Sequence, residues 1–214
     1  MTASTDHLRA YPLLAILRGV PADHVVPLGK ALLAGGVRSL EVTFTDADAA
    51  AKIEALRAAL PVQVLVGAGT VTTRKRAAAA RAAGASFLVT PHVAPEVNAF
   101  GVGHDLPVVC GATTATEIAQ AVDQGCAFIK LFPAGPLGPD YLRALLGPYP
   151  DLEVFAVGGV GLGNAAAFLA AGALGLGIGG ALTTLDWSDP DLDAATRLAR
   201  AFGDLIDAAR GGAA

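Results

Sequence analysis

Charge is scarce in this chain. Only 16% of its 214 residues are charged, with 15 Lys and Arg against 19 Asp and Glu. A formal charge of -4, a pI near 5.5 and no basic stripe remove the electrostatic footprint of a nucleic-acid binder. Cysteine is nearly absent. Cys110 and Cys126 lie in or beside apolar runs without metal-ligand spacing. They read as reduced core thiols of a cytoplasmic protein, with a buried disulfide left open. The four histidines, His7, His24, His92 and His104, show no H-x-H or H-E-x-x-H spacing, so metal chemistry has little support. No serine stands in a G-x-S-x-G setting, and Gly67-Ala68-Gly69-Thr70 is not a G-x-G-x-x-G dinucleotide fingerprint. No apolar stretch is long enough to span a bilayer; the richest, 165–185, is full of glycine and alanine. Residues 1–10 carry Asp6, His7 and Arg9 and lack the apolar core of a signal peptide. The expectation is a soluble protein without membrane or nucleic-acid partners.

Hydrophobic residues make up 53% of the sequence and follow a repeated local pattern. Ala-rich stretches end at Gly36, Gly84, Gly125 and Gly172, each followed by a short apolar run. Glycine past a helix end supplies the left-handed C′ conformation, and the run behind it reads as a buried parallel strand. Completing the pattern predicts strands at 13–18, 38–44, 62–67, 86–90, 107–111, 127–132, 153–158 and 174–178. Helices are expected at 23–35, 46–60, 73–83, 93–103, 114–124, 138–146, 163–171 and 190–210, the last opened by Ser188-Asp189-Pro190. Eight alternating units in so short a chain favour a single-domain (β/α)₈ barrel over 1–214, with an open doubly wound sheet as the rival. Only the tail 211–214 reads as flexible.

Such barrels place their chemistry at the C-terminal strand ends. Lys130 is embedded in the apolar run Ala127-Phe128-Ile129-Lys130-Leu131-Phe132-Pro133, whereas Lys30, Lys52 and Lys75 have polar, helical surroundings. Loss of hydration in such a run favours the neutral amine, a nucleophile toward carbonyls that forms Schiff bases. The alternative is a buried stem whose head reaches solvent or a carboxylate. Glu41 in Leu40-Glu41-Val42-Thr43-Phe44 shares a face with Thr43, and alternation lets Glu41 and Lys130 both point into the barrel. Two opposite buried charges are expected close together, either for chemistry or as a structural ion pair. Arg18, ending strand 1, suits a bidentate grip on a carboxylate, or is a surface arginine. Thr70 reads as pocket lining. His92, after Thr90-Pro91, reaches either substrate or solvent. Gly158-Gly159 after strand 7 and Gly179-Gly180 after strand 8 occupy the frequent phosphate position of this fold.

Ala15-Ile16-Leu17-Arg18-Gly19, Glu41-Val42-Thr43, Gly67-Ala68-Gly69-Thr70-Val71, Thr90-Pro91, Phe128-Ile129-Lys130-Leu131-Phe132-Pro133-Ala134 and Val157-Gly158-Gly159-Val160 together resemble the 2-keto-3-deoxy-6-phosphogluconate / 2-keto-3-deoxy-6-phosphogalactonate aldolase family. The resemblance runs in order from about residue 10 to the last helix. It implies a class I aldolase without metal or other cofactor, usually a homotrimer, acting on a small 2-keto-3-deoxy sugar acid phosphate. It implies Lys130 as the Schiff-base lysine and Glu41 as the general acid/base. Arg18 and Thr70 would hold the pyruvate-derived part, Pro91 and Phe132 would contact substrate, and Gly158, Gly159, Gly179 and Gly180 would form the phosphate end. The Ala15–Gly19 start, Thr114-Ala115-Thr116-Glu117 and Gly138-Pro139-Asp140-Tyr141 resemble the phosphogalactonate branch. Thr45 stands where the phosphogluconate branch more often has arginine. Two departures are Gly179-Gly180 for the usual glycine-serine, which removes a hydroxyl, and Cys110-Gly111 for the usual proline-glycine. The expected reaction gives pyruvate and glyceraldehyde 3-phosphate. Cleavage of the phosphogluconate isomer or of 4-hydroxy-2-oxoglutarate is the chemical alternative, and a non-catalytic sugar-phosphate-binding barrel is the alternative of another class.

Overall fold

The four glycines that punctuate the repeated pattern, Gly36, Gly84, Gly125 and Gly172, all have positive φ, from 75° to 104°. Each turns the chain out of a helix in the conformation that a side chain would oppose. The computed structural model describes residues 2–211. Its strands are β1 (Leu13–Leu17), β2 (Ser39–Thr43), β3 (Leu65–Gly69), β4 (Leu88–Val89), β5 (Val108–Ala112), β6 (Phe128–Leu131), β7 (Val154–Val157) and β8 (Gly175–Ile178). All neighbours pair in parallel, and β1 pairs with β8 through Leu14 and Gly177, which closes the barrel and excludes the open sheet. The helices are α1 (Ala3–Ala10), α2 (Val25–Ala34), α3 (Ala49–Ala59), α4 (Arg74–Ala82), α5 (Pro95–Gly103), α6 (Ala115–Asp123), α7 (Ala134–Leu137), α8 (Pro139–Leu146), α9 (Leu162–Ala170), α10 (Gly180–Thr183) and α11 (Leu192–Gly211).

Strand alternation sorts the buried residues into two layers. Leu14, Ile16, Leu65, Phe87, Val89, Val109, Phe128, Phe155 and Val157 fill the barrel, with Phe128 and Phe155 edge to face at 5.5 Å. Leu13, Ala15, Leu17, Leu40, Val42, Ile129 and Leu131 point outward against the helices. Leu8 of α1 is fully buried in the inner cluster and plugs the N-terminal end of the barrel. Next to it, Arg9 donates to both carboxylate oxygens of Glu153 at 2.6 and 2.8 Å and lies 5.6 Å from the Phe128 ring.

Several expected boundaries move for identifiable reasons. Strand 3 was expected at 62–67 but runs from Leu65 to Gly69, because Pro61 opens a turn closed by Val64 N–H donating to its carbonyl. Its C-terminal half is glycine-rich since Gly67 and Gly69 face the interior. A Cβ on Gly67 would lie 2.5 Å from the Phe87 ring. Strand 4 is reduced to two residues. Helix 138–146 is preceded by a separate turn of helix, α7, with Gly138 between them at φ 80°. The last helix starts at Leu192 rather than 190, and Asp191, not Ser188, accepts from the N–H of Ala194 at 2.8 Å. Gly211 continues that helix, while the rest of the expected tail, 212–214, lies outside the described residues. Helices α1 and α10 were not expected.

Candidate active site

Glu41 and Lys130 both face the barrel interior, as alternation required. Glu41 is fully buried, and neither carboxylate oxygen has a hydrogen-bond partner. Burial pushes its pKa above the usual carboxylate range, and the positive charges of Lys130 and then Arg18 offset only part of that rise. Lys130 is 4% exposed, and its Nζ lies 5.4 Å from the centroid of the Phe132 ring. The expected closeness is therefore electrostatic: the carboxylate makes no hydrogen-bonded ion pair with the ammonium. A structural ion pair does not describe this arrangement. What remains is a buried, protonatable acid that no protein group hydrogen-bonds, near an amine that lines a cavity.

The backbone around Glu41 is shaped to admit it. A Cβ on Gly69 would lie 1.8 Å from Glu41 Oε1, so only glycine leaves room for the carboxylate. Thr70 follows at φ 55°, partly buried. On the other side, Arg18 leaves the end of β1 exposed, and the next residue, Gly19, donates its N–H to Asp46 Oδ2 at 3.2 Å. Asp46 is in turn bound by Lys52 Nζ at 2.9 Å, which also holds Asp48 at 2.8 Å. Burial opposes the Lys52 charge, but hydrogen bonds to Asp48 and Asp46 outweigh it and raise its pKa. Sequence reasoning missed this brace beneath Arg18; the polar run Thr45-Asp46-Ala47-Asp48 was its only signal.

One cavity of about 330 Å³ at the C-terminal end of the barrel is lined by Arg18, Lys130, Phe132, Gly158, Gly159, Gly179 and Gly180. Seven of the ten expected positions thus meet in one space. Glu41, Thr70 and Pro91 do not line it: Glu41 is buried in the barrel, and Thr70 and Pro91 follow strands on the other side. Pro91 is nonetheless closely packed, since a Cβ on Gly111 would lie 2.3 Å from its carbonyl carbon. His92 is exposed. A larger cavity of about 410 Å³ lies at the opposite end, around Tyr11, Arg38 and Arg200, away from the Lys130 and Glu41 pair. Among the described residues no group of three His, Cys, Asp or Glu could hold a metal ion.

Phe132 is 36% exposed at the mouth of the cavity. Thr113 Oγ1 donates to its carbonyl at 2.9 Å, and Tyr141 donates to the Thr113 carbonyl at 2.8 Å. The run Thr114-Ala115-Thr116-Glu117 is a capping box that starts α6. Backbone N–H groups of Thr114 and Thr113 hold the Glu117 pKa down. Cys110 and Cys126 are free thiols. A hydrogen bond from Cys126 draws the pKa of the buried Cys110 thiol down against the opposing effect of burial. Asn98 also donates to its sulfur at 3.6 Å.

The family model of KDPG and KHG aldolases matches residues 5–198. The chain belongs to this aldolase family. Its members are class I, Schiff-base enzymes, and the chain is accordingly a carbon–carbon lyase. It is 40% identical over 166 residues to the 2-dehydro-3-deoxy-phosphogluconate aldolase of Treponema pallidum, covering 77% of each chain. A native KDPGal structure superposes with a TM-score of 0.87 at 32% identity, covering 94% of this chain and 96% of that one. A KDPG aldolase of Legionella pneumophila, with pyruvate captured as a covalent carbinolamine, superposes with a TM-score of 0.82 at 27% identity, over 94% and 98%. No helix among the described residues is long and apolar enough to cross a membrane.

Proposed function

We propose that this aldolase cleaves 2-keto-3-deoxy-6-phosphogalactonate to pyruvate and glyceraldehyde 3-phosphate, with Lys130 as the Schiff-base lysine. The observation that carries the reading is the pairing of a nearly buried amine at the cavity floor with a buried carboxyl group that no protein group satisfies. Lys130 attacks the C2 ketone to give a carbinolamine, and loss of water gives the iminium. Removing the proton of the C4 hydroxyl then breaks the C3–C4 bond. The aldehyde leaves, and the electron pair remains as an enamine. Protonation at C3 and hydrolysis return the lysine and release pyruvate. Glu41, raised in pKa by its burial, moves these protons, directly or through a water. An iminium electron sink needs no metal ion.

Arg18 and Thr70 hold the carboxylate of the pyruvate part, with Pro91 and Phe132 contacting the substrate chain. The turns Gly158-Gly159 and Gly179-Gly180 take the phosphate through backbone N–H groups. The enzyme works as one domain, in the cytoplasm and as a homotrimer. A second reading, the same chemistry on the phosphogluconate isomer or on 4-hydroxy-2-oxoglutarate, gains weight from Gly180, which offers no hydroxyl to a phosphate. Initial rates across keto-deoxy acids with and without phosphate distinguish them. A higher kcat/KM on the phosphogalactonate supports the first reading. Equal efficiency on phosphorylated and unphosphorylated acids overturns the phosphate assignment, and no turnover of any acid leaves a binding barrel.

A further inference from the structure

Two non-glycine residues have positive φ among the described residues, Thr70 and Asp105, both at 55°. Asp105 lies in a turn between α5 and β5, and short polar side chains tolerate this conformation. Thr70 is different. A β-branched residue is a genuine outlier in the left-handed region and persists there only where its surroundings over-determine it. The surroundings are identifiable. On one side, Val71 N–H donates to the Val89 carbonyl at 3.1 Å and keeps the following residue on the barrel. On the other, Arg76 Nη1 donates to the Thr70 carbonyl at 3.2 Å and to Thr72 Oγ1 at 2.8 Å.

Arg76 occupies an unusual place for a cation. It is the third residue of α4, and its own N–H donates to the capping hydroxyl of Thr73 at 3.2 Å. The N-terminal turn of a helix carries partial positive charge and disfavours arginine. Local helix energetics therefore do not explain this residue. Its neighbour Arg74 turns away to the Phe100 ring, at 5.6 Å. Arg76, by contrast, folds back on the end of β3.

That strand end matters because Gly69, the residue before Thr70, is one wall of the space holding the Glu41 carboxylate. Rotation of Thr70 to an ordinary negative φ would turn the backbone that follows this wall and carry the Thr70 side chain with it. We infer that Arg76 is a positioning residue for the aldol reaction, holding Thr70 in its left-handed conformation so that the pyruvate end of the substrate meets a preformed site. This rests on the proposed Schiff-base reading, with Thr70 at the pyruvate carboxylate.

Pyruvate alone is the probe. The rate of borohydride-dependent labelling of Lys130 is measured against pyruvate concentration in the intact protein, giving a half-saturating concentration and a limiting rate. Arg76→Ala should raise the half-saturating concentration roughly tenfold, the usual worth of one charge-assisted hydrogen bond, and change the limiting rate less. Arg76→Lys, which reaches one of the two acceptors, should fall between, and covers the case in which the alanine variant does not fold. Asparagine tolerates the left-handed conformation, so in a Thr70→Asn background Arg76→Ala should add less than about a twofold effect. A structural role would lower the labelled fraction without moving half-saturation. Half-saturation within about twofold of wild type for both Arg76 variants, or an equal loss in the Thr70→Asn background, overturns the positioning role alone. Wild-type protein that forms no pyruvate imine overturns it together with the proposed function.

Discussion

Replacing Glu41 by glutamine removes a charge while keeping shape and hydrogen-bonding capacity, and the structure assigns opposite signs to its effects on activity and stability. The carboxylate is fully buried, and neither oxygen accepts a hydrogen bond from the protein. An unsatisfied buried polar group costs about 1–3 kcal/mol, and more when charged. Glutamine leaves an unsatisfied amide in its place, and Lys130 and Arg18 lose a favourable field, so the net gain is about 1 kcal/mol. For a chain of this length that raises Tm by roughly 2–4 °C. The gain must depend on pH. Burial raises the folded-state pKa of Glu41 above that of the unfolded chain. At pH values below the unfolded-state pKa the group is protonated in both states, and its burial is then least costly. As pH rises through the folded-state value, the folded wild type loses stability relative to the glutamine variant. The Tm difference should therefore widen from acid to neutral pH. Over the same range kcat should fall by about 10²–10⁴, the usual worth of a general acid/base. Thermal melts in a pH series, alongside steady-state rates, read both effects. A variant that keeps near-wild-type activity and melts several degrees lower at every pH would refute this reasoning and make Glu41 a structural residue.

Gly69→Ala should abolish most activity without unfolding the barrel, because its Cβ would lie 1.8 Å from Glu41 Oε1 and must displace the carboxylate. We expect kcat to fall at least about a hundredfold with overpacking costing about 1–3 kcal/mol; an active variant refutes the proposed seat of Glu41. Gly180→Ser should be tolerated, since a Cβ there meets nothing closer than Thr184 Oγ1 at 3.6 Å. It should lower KM for the phosphorylated substrate by roughly ten- to a hundredfold and leave unphosphorylated acids unchanged; equal effects on both contradict a phosphate at that turn.

The barrel was legible because glycine punctuation and apolar runs are local signals. The same alternation that sets one strand face apart brought Glu41 and Lys130 inward. The start and end of β3 were not legible. Glycine reads as a turn in sequence, whereas Gly67 and Gly69 are strand residues whose missing side chains make room for Phe87 and Glu41. That necessity comes from partners distant in sequence. Helix α1 was hidden for a related reason. Asp6, His7 and Arg9 give it a polar composition, and only the closed barrel provides the opening that Leu8 fills. At the site, one cavity is lined by Arg18, Lys130, Phe132 and the two glycine turns, whereas Glu41, Thr70 and Pro91 lie off it. The Asp46 and Lys52 brace and the Arg76 contact depend on loop geometry that no periodicity encodes.

The most direct measurement is borohydride reduction of the protein in the presence of pyruvate, followed by peptide mass spectrometry. The account predicts a single reduced pyruvate adduct, on Lys130. No adduct, or an adduct on Lys30, Lys52 or Lys75 in place of Lys130, would contradict it.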